Sequence, residues 1–524
     1  MGIIFEKDLG LGSVNSMFED VRPWLLEQVH ETYLFSFCTI LSIFFAYRTF
    51  KLARHRWVYR EFYRLPCIQN FHNTDLRSAM EEGTAKYTGR PFVLPLLDPT
   101  VILPSNVIDE VKSLPETRVS IDANNKRRFF GQYTLMGTKS PELLSAIKQD
   151  LHRNVGSLLT EMMEETRVTT DSLISLDHES PVKSLVVYES MLRYITLVTG
   201  RAIVGLPLSR NEEWVSSAIN YAVESMKAGH QLRTYPVALR SWVAPFLSAV
   251  RRLKDYQSRI MEMLHDSVLQ QRLRPENTSK LDETQGRLAS WLIQHYRSTS
   301  SKDISEWNVC KDHILALFAG IHIATNAVTQ VLLDLAARPE YQEPLLEEIK
   351  SVSSGTEDNT LTLAMIAKMS KLDSFIQESL RVSPPGGVVT LMRETTAPFR
   401  PSCGPLIPKG TLIAFSNNRF DMAKGTKAAV DNFDGFRFDR ERNNEGSKHH
   451  LLTPSPDSLT WGYGMHACPG RSFAATEIKV IVIHLLTNFH LRLKGGKERP
   501  RNESFDFQIM PDMSAEIEFS SRKE

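Results

Sequence analysis

The stretch whose residue types and spacing point most directly to chemistry is Trp461-Gly462-Tyr463-Gly464-Met465-His466-Ala467-Cys468-Pro469-Gly470-Arg471-Ser472-Phe473-Ala474. Glycines at 462, 464 and 470 permit positive φ and close backbone approach around a single cysteine. A helical pattern comes next, so the thiol stands near a helix N-terminus. Backbone N–H groups and the helix dipole there stabilise a thiolate. A thiolate is the form that binds haem iron, where it pushes electron density onto bound oxygen. The competing reading is a Gly-rich β-bulge carrying an inert buried cysteine.

Other constellations are weaker taken singly. Glu378 and Arg381, three apart, share one helix face and can pair, although such pairs are usually solvated surface pairs. The five cysteines, Cys38, Cys67, Cys310, Cys403 and Cys468, are scattered and contain no CxxC. That argues against a disulfide framework or a zinc site. No GxGxxG opens a βαβ unit, so a nicotinamide or flavin site within the chain is not expected. A net charge of +1 gives no reason to expect nucleic acid as a partner.

The elements that must position these residues read mainly as long amphipathic helices. They are expected over Leu143 to Glu165, Val187 to Val204, Leu239 to Arg272, Ile304 to Arg338, Leu372 to Val382 and Ala474 to Phe489. Polar breaks fall at Ser351 to Asn359 and Arg440 to Ser447. Strand signals appear at Val388 to Met392 and Leu406 to Phe415, with a turn at Pro408 to Thr411, and the tail Phe505 to Phe519 alternates like strand. Near the N-terminus, Thr32 to Tyr47 carries no charge, and extension to Phe50 makes 19 residues. At about 1.5 Å per residue this approaches the roughly 30 Å of a bilayer core. Acids dominate before it, and Arg48, Lys51, Arg54, Arg56 and Arg60 end or follow it. The positive-inside rule then places the rest in the cytosol. The expected division is a lumenal 1–31, a transmembrane anchor 32–50, a basic linker 51–65 and a catalytic domain 66–524.

The cysteine segment resembles the haem-binding loop of the cytochrome P450 family, FxxGxxxCxG, with Trp461 in place of the usual Phe. The likeness spans roughly residues 60 to 515. It includes Leu114-Pro115-Glu116, Gly131-Gln132-Tyr133-Thr134 and Val204-Gly205-Leu206-Pro207-Leu208, which resemble fungal secondary-metabolite members. The resemblance implies Cys468 as the axial iron ligand. It also implies Trp461 over the proximal face with its indole N–H near the thiolate, Gly464 in the loop, and His466 and Arg393 at the haem propionates. Lys148 or Arg153 would add a propionate contact, although the family's WxxxR is absent. Glu378, Arg381 and Arg437 (in Phe433-Asp434-Gly435-Phe436-Arg437-Phe438) match a structural triad. In the distal helix, Phe318 to Asn326 matches AGx(D/E)T: Gly320 leaves room for oxygen, His322 takes the acidic position, and Ile323 replaces the threonine. Isoleucine carries no proton; either Thr325, an ordered water or a substrate hydroxyl does so, or oxygen activation is weak and the reaction is not plain hydroxylation, or Ile323 merely shapes the pocket.

The resemblance further implies a mainly α fold with small β-sheets, the cytochrome P450 fold, preceded by one transmembrane helix. The cofactor would be haem b. Electrons would come from NADPH through a separate NADPH-cytochrome P450 reductase. The enzyme would sit in the endoplasmic reticulum membrane, single-pass, held in lipid by its N-terminal helix. Expected pocket segments are Val119 to Met136, Leu315 to Asn326, Pro384 to Leu391 and Gln508 to Asp512. They offer Leu135, Phe318, Ile321, Ile323, Val388, Val389 and Met510 to an apolar, terpenoid or indole-terpenoid substrate. A redox-neutral or rearranging haem-thiolate enzyme and a non-catalytic haem-binding protein are the alternatives.

Overall fold

The computed structural model describes residues 36, 39–69, 76–176, 181–269, 286–299, 304–354, 361–422, 432–445 and 450–522. The chain divides into two units, Met1–Arg64 and Leu65–Glu524. In the first, residues 39–58 form one helix whose residues are all exposed. The expected anchor at 32–50 therefore lies partly outside the described residues. The helix continues past residue 50 through the basic segment to residue 58. Among the described residues, the helix long and apolar enough to cross a membrane is Glu306–Ala337, whose most apolar stretch is 67% buried. It is a core helix and not the N-terminal span.

The second unit is built around that helix. A helix apolar on all sides must be covered on all sides. In chain order the main helices are α1 (His152–Leu173), α2 (Val187–Ile203), α3 (Glu212–Arg233), α4 (Ser248–Leu264), the central α5 (Glu306–Ala337), α6 (Ser370–Val382) and α7 (Arg471–Asn488). Helix α5 packs directly on α2, α3, α6 and α7, and α7 packs on α1. One continuous apolar core runs through these helices.

The sheets are small. Strands β1 (Phe92–Leu94), β2 (Thr100–Leu103), β3 (Val119–Ser120), β5 (Val389–Thr395) and β6 (Leu412–Ser416) form one sheet in the order β1-β2-β6-β5-β3. Within it β2 and β6 are parallel and the other pairs antiparallel. Strands β4 (Val182–Val186), β10 (Glu516–Ser521) and β7 (Phe489–Leu493) form a second sheet, and β8 (Glu503–Phe505) with β9 (Gln508–Met510) a hairpin. Along β5 a bulge between Thr390 and Arg393, where Leu391 has a φ of +48°, shifts the register against β6, so that Val389 pairs with Ser416 and the buried Arg393 with Ile413.

Several expected elements differ. Leu143 to Glu165 is interrupted by a π-helical stretch, Ala146–Leu151, before α1 begins. Leu239 to Arg272 breaks at Pro245 and Leu247, leaving Val237–Val243 and α4 separate. The polar stretch from Arg440 lies in a helix, Arg437–Glu445. The tail divides into β8, β9 and β10 around Pro511. Helix α3, 22 residues long, is not among the expected elements.

Candidate active site around Cys468

The loop before α7 folds tightly because two of its glycines let it. Gly462 and Gly464 have φ of +71° and +75°, and a Cβ on Gly464 would stand 2.7 Å from the Lys112 backbone oxygen. The Cys468 N–H donates to the Trp461 carbonyl at 2.7 Å, closing the loop. Burial pushes the Cys468 thiol above its ordinary pKa; the Gly470 N–H and the Arg471 charge act against that. The Trp461 indole N–H donates to the Leu451 carbonyl at 2.8 Å. It is thus committed to backbone, contrary to the expected approach to the sulfur.

Arg393 is 4% exposed, and its Nε has no hydrogen-bond partner. Its Nη1 donates to the Met392 carbonyl. Burial holds its pKa down at about 10, with Glu116 and Asp122 acting the other way from a distance. Its charge also lowers the pKa of His466, after burial, which acts first. The His466 Nε2 is buried and unpartnered, while Nδ1 lies 3.7 Å from Glu116. Lys148 acts on His466 as well and lines, with His152, Tyr463, Met465 and Arg471, a groove of about 490 Å³ beside the cysteine loop. Arg153 is exposed and is not among that groove's residues.

Glu378, Arg381 and Arg437 come together. Arg381 Nε and Nη2 reach the two Glu378 oxygens at 2.7 and 2.8 Å, and Arg437 Nε lies at 3.3 Å. The Asp434 N–H adds a bond at 2.9 Å, and both arginines donate to the Asn432 carbonyl. Glu378 is fully buried, so its charge is matched by two partly exposed guanidinium groups.

On α5, Ala319 and Ile323 are exposed while most of the helix is buried; Ile323 is 55% exposed. Four residues apart, they share one open face. Thr325 is fully buried, and its hydroxyl donates to the Ile321 carbonyl at 2.8 Å, so it is not brought to that face. Burial lowers the His322 pKa to about 4, against a hydrogen bond with the Ile219 backbone. The ring is therefore neutral at physiological pH. Gly320 faces α2: a Cβ there would meet Thr199 Cγ2 at 3.3 Å, so its smallness serves helix packing. Of the expected pocket residues, Ile321, Val388 and Val389 are packed into the core at 1% exposure or less. Leu135, Phe318, Ile323 and Met510 keep some accessible surface.

The sequence pattern described as Cytochrome P450 matches residues 140–518. The chain belongs to the cytochrome P450 family. Similar proteins include the cytochrome P450 monooxygenase ascG of Acremonium egyptiacum, 34% identical, covering 86% of this chain and 89% of the relative. The cytochrome P450 monooxygenase ataF of Aspergillus terreus is 36% identical over 84% and 88%. The cytochrome P450 monooxygenase gliF of Aspergillus fumigatus is 33% identical over 89% and 95%. The protein is a P450 monooxygenase, and haem is the family's cofactor.

The residues fit that cofactor. A buried guanidinium with a free Nε and an imidazole with a free Nε2 suit anionic propionates. A cysteine held in a glycine-shaped loop and an open face on α5 suit the two sides of a flat macrocycle. Sequence reasoning missed two buried polar groups in α7. Glu477 accepts from the Thr199 hydroxyl at 2.7 Å, and Lys479 pairs with Asp373 at 2.5 Å. Their one signal was charge inside the mostly apolar run Ala474 to Leu486.

Proposed function

We propose that this P450 inserts oxygen from O2 into an apolar, polycyclic terpenoid-type substrate in fungal secondary metabolism. Cys468 would hold the haem iron, and Arg393 and His466 would hold the propionates. Bound haem supplies the chemistry: one oxygen atom enters an unactivated C–H bond and the other leaves as water, using two electrons and two protons. The Ala319 and Ile323 face keeps the substrate side apolar and sheds bulk water. Because Ile323 has no hydroxyl, the Thr325 hydroxyl is engaged and His322 is neutral, protons reach the site through ordered water or a substrate hydroxyl. The single observation that carries the reading is Cys468 fixed by its N–H bond to Trp461 at the entry to α7.

Electrons would come from NADPH through a membrane-bound NADPH-cytochrome P450 reductase. The groove with Lys148 and Arg471 beside the cysteine loop offers cations to an acidic partner. Residence in the endoplasmic reticulum membrane through the N-terminal helix, with the catalytic unit cytosolic, is supported by the exposed Ile40, Ile43, Phe44, Phe45 and Phe50.

The test is spectroscopic first. Reduced, carbon-monoxide-treated protein should show the Soret band of thiolate ligation, and Cys468→Ala should lose it; a band that survives the substitution refutes the assignment. Co-expression with the reductase and feeding of terpenoids, read by mass spectrometry, then tests the substrate class. Ile323 also favours a second reading, a redox-neutral or rearranging enzyme. Product free of label under 18O2 would select it.

A further inference from the structure

Besides Glu378, helix α6 carries a second buried carboxylate, and its contacts lead to the cysteine. Asp373 is 5% exposed. It lies 2.5 Å from Lys479 Nζ on α7 and 2.9 Å from Arg442 Nη2. It also accepts the Leu451 N–H at 2.9 Å. Burial pushes its pKa up, but the Lys479 charge and the Leu451 N–H outweigh that, and the carboxyl stays below its ordinary value.

Residues 451 and 452 then reach both peptide groups of Cys468. The Leu451 carbonyl accepts the Trp461 indole N–H at 2.8 Å, and the Trp461 carbonyl accepts the Cys468 N–H at 2.7 Å. The Leu452 carbonyl accepts from Arg471 Nε at 3.3 Å, and Arg471 Nη1 donates to the Cys468 carbonyl at 2.9 Å. Leu451 is 1% exposed, so its N–H would be an orphaned buried donor without Asp373. Glu378 has a separate range of contacts, Arg381, Arg437, Asn432 and Asp434.

We propose that Asp373, secured by Lys479, is a positioning residue for the iron ligand, acting through Leu451 and Trp461 to fix the backbone of Cys468. The inference rests on Cys468 as that ligand. Glu378 holds the segment before the Arg437 helix, and Asp373 holds the segment after it. Because the sulfur is one short side chain from this backbone, a shift of Leu451 changes the iron–sulfur distance before it unfolds anything.

The experiment compares two double substitutions in the full-length holoprotein. Asp373→Asn with Lys479→Met removes the charge pair but keeps an oxygen for the Leu451 N–H. Asp373→Ala with Lys479→Met removes the pair and the acceptor. Iron–sulfur stretching by resonance Raman, the midpoint potential and thermal unfolding are read on each. The Asn variant should keep the wild-type stretch. The Ala variant should shift it to lower frequency, with partial loss of the thiolate Soret band. Identical spectra in the two overturn the proposal, since a merely structural charge pair would treat them alike. Should either double variant not fold, Trp461→Phe decides. It removes the indole N–H from the same route while keeping an aromatic ring in its place; a lowered stretch supports the proposal and an unchanged one overturns it. Wild-type protein without the thiolate band would instead refute Cys468 as ligand, a separate failure.

Discussion

Residue 323 exposes more than half its surface on a helix mostly packed into the core. It faces the site without a hydroxyl. If protons travel by water or substrate, Ile323→Thr should leave product formed per NADPH within about twofold, because a hydroxyl the reaction requires is worth about a hundredfold. Product and hydrogen peroxide measured together check this, and a tenfold gain in coupling would show that the wild-type residue handicaps proton delivery. Glu477 gives a different expectation. Burial raises its pKa to about 8, against the Thr199 hydroxyl, from an ordinary 4.5. The folded state therefore keeps a proton that the unfolded chain releases. Stability is full below about pH 4.5 and falls as pH rises toward 8. Glu477→Gln should remove that slope and be the more stable protein at pH 8, by an amount on the order of a few kcal/mol. Urea unfolding at pH 5 and pH 8 reads it; equal slopes in both proteins would contradict it. Cys468 was legible in the sequence because glycines and one thiol crowd together there. The partner of the Trp461 indole was not, because Leu451 is ten residues away and is brought under it by α6.

Among elements, α6 and the segment around Arg437 show what chain order can and cannot reveal. The Glu378 and Arg381 spacing marks a helix face, the family resemblance supplies Arg437, and the structure brings that arginine to Glu378 across a stretch of more than fifty residues. Removing one member of a buried ion pair strands the other, at about 3–5 kcal/mol. Glu378→Ala leaves two arginines facing a buried hollow and should cost the fold that much. The expected result is a lowered thermal midpoint and little haem incorporation, whereas Arg437→Lys should lose much less. Equal stability of Glu378→Ala and wild type in chemical unfolding would rule this out. Helix periodicity placed α2, α5 and the core of α7 well, since long apolar faces dominate those segments. It failed at Arg437–Glu445, a helix almost without apolar residues, whose polar composition reads as a break. It also missed the π-helical stretch at Ala146–Leu151, whose composition continues the helical pattern on either side.

For the whole molecule, the most apolar helix is the wrong one to put in a membrane. Glu306–Ala337 passes the length and composition test, yet it is the centre of the core, enclosed by α2, α3, α6 and α7. Composition alone could not separate a helix surrounded by protein from one surrounded by lipid, because both remove apolar surface from water. Flanking charge separates them: a cluster of basic residues ends and follows the N-terminal stretch, whereas α5 is followed by Arg338 alone before the acids Glu340 and Glu343. The two units also divide at Arg64 and Leu65, so the catalytic unit owns its entire core. Removal of residues 1–64 should therefore change unfolding free energy by less than about 1 kcal/mol, the scale of surface changes. It should leave the Soret band intact and move the protein from the microsomal pellet to the supernatant. Sedimentation after alkaline carbonate extraction distinguishes integral from peripheral association. Full-length protein should stay in the pellet and the truncated form should leave it. If the truncated form remained in the pellet, the catalytic unit itself would bind lipid and the N-terminal helix would not be the sole anchor.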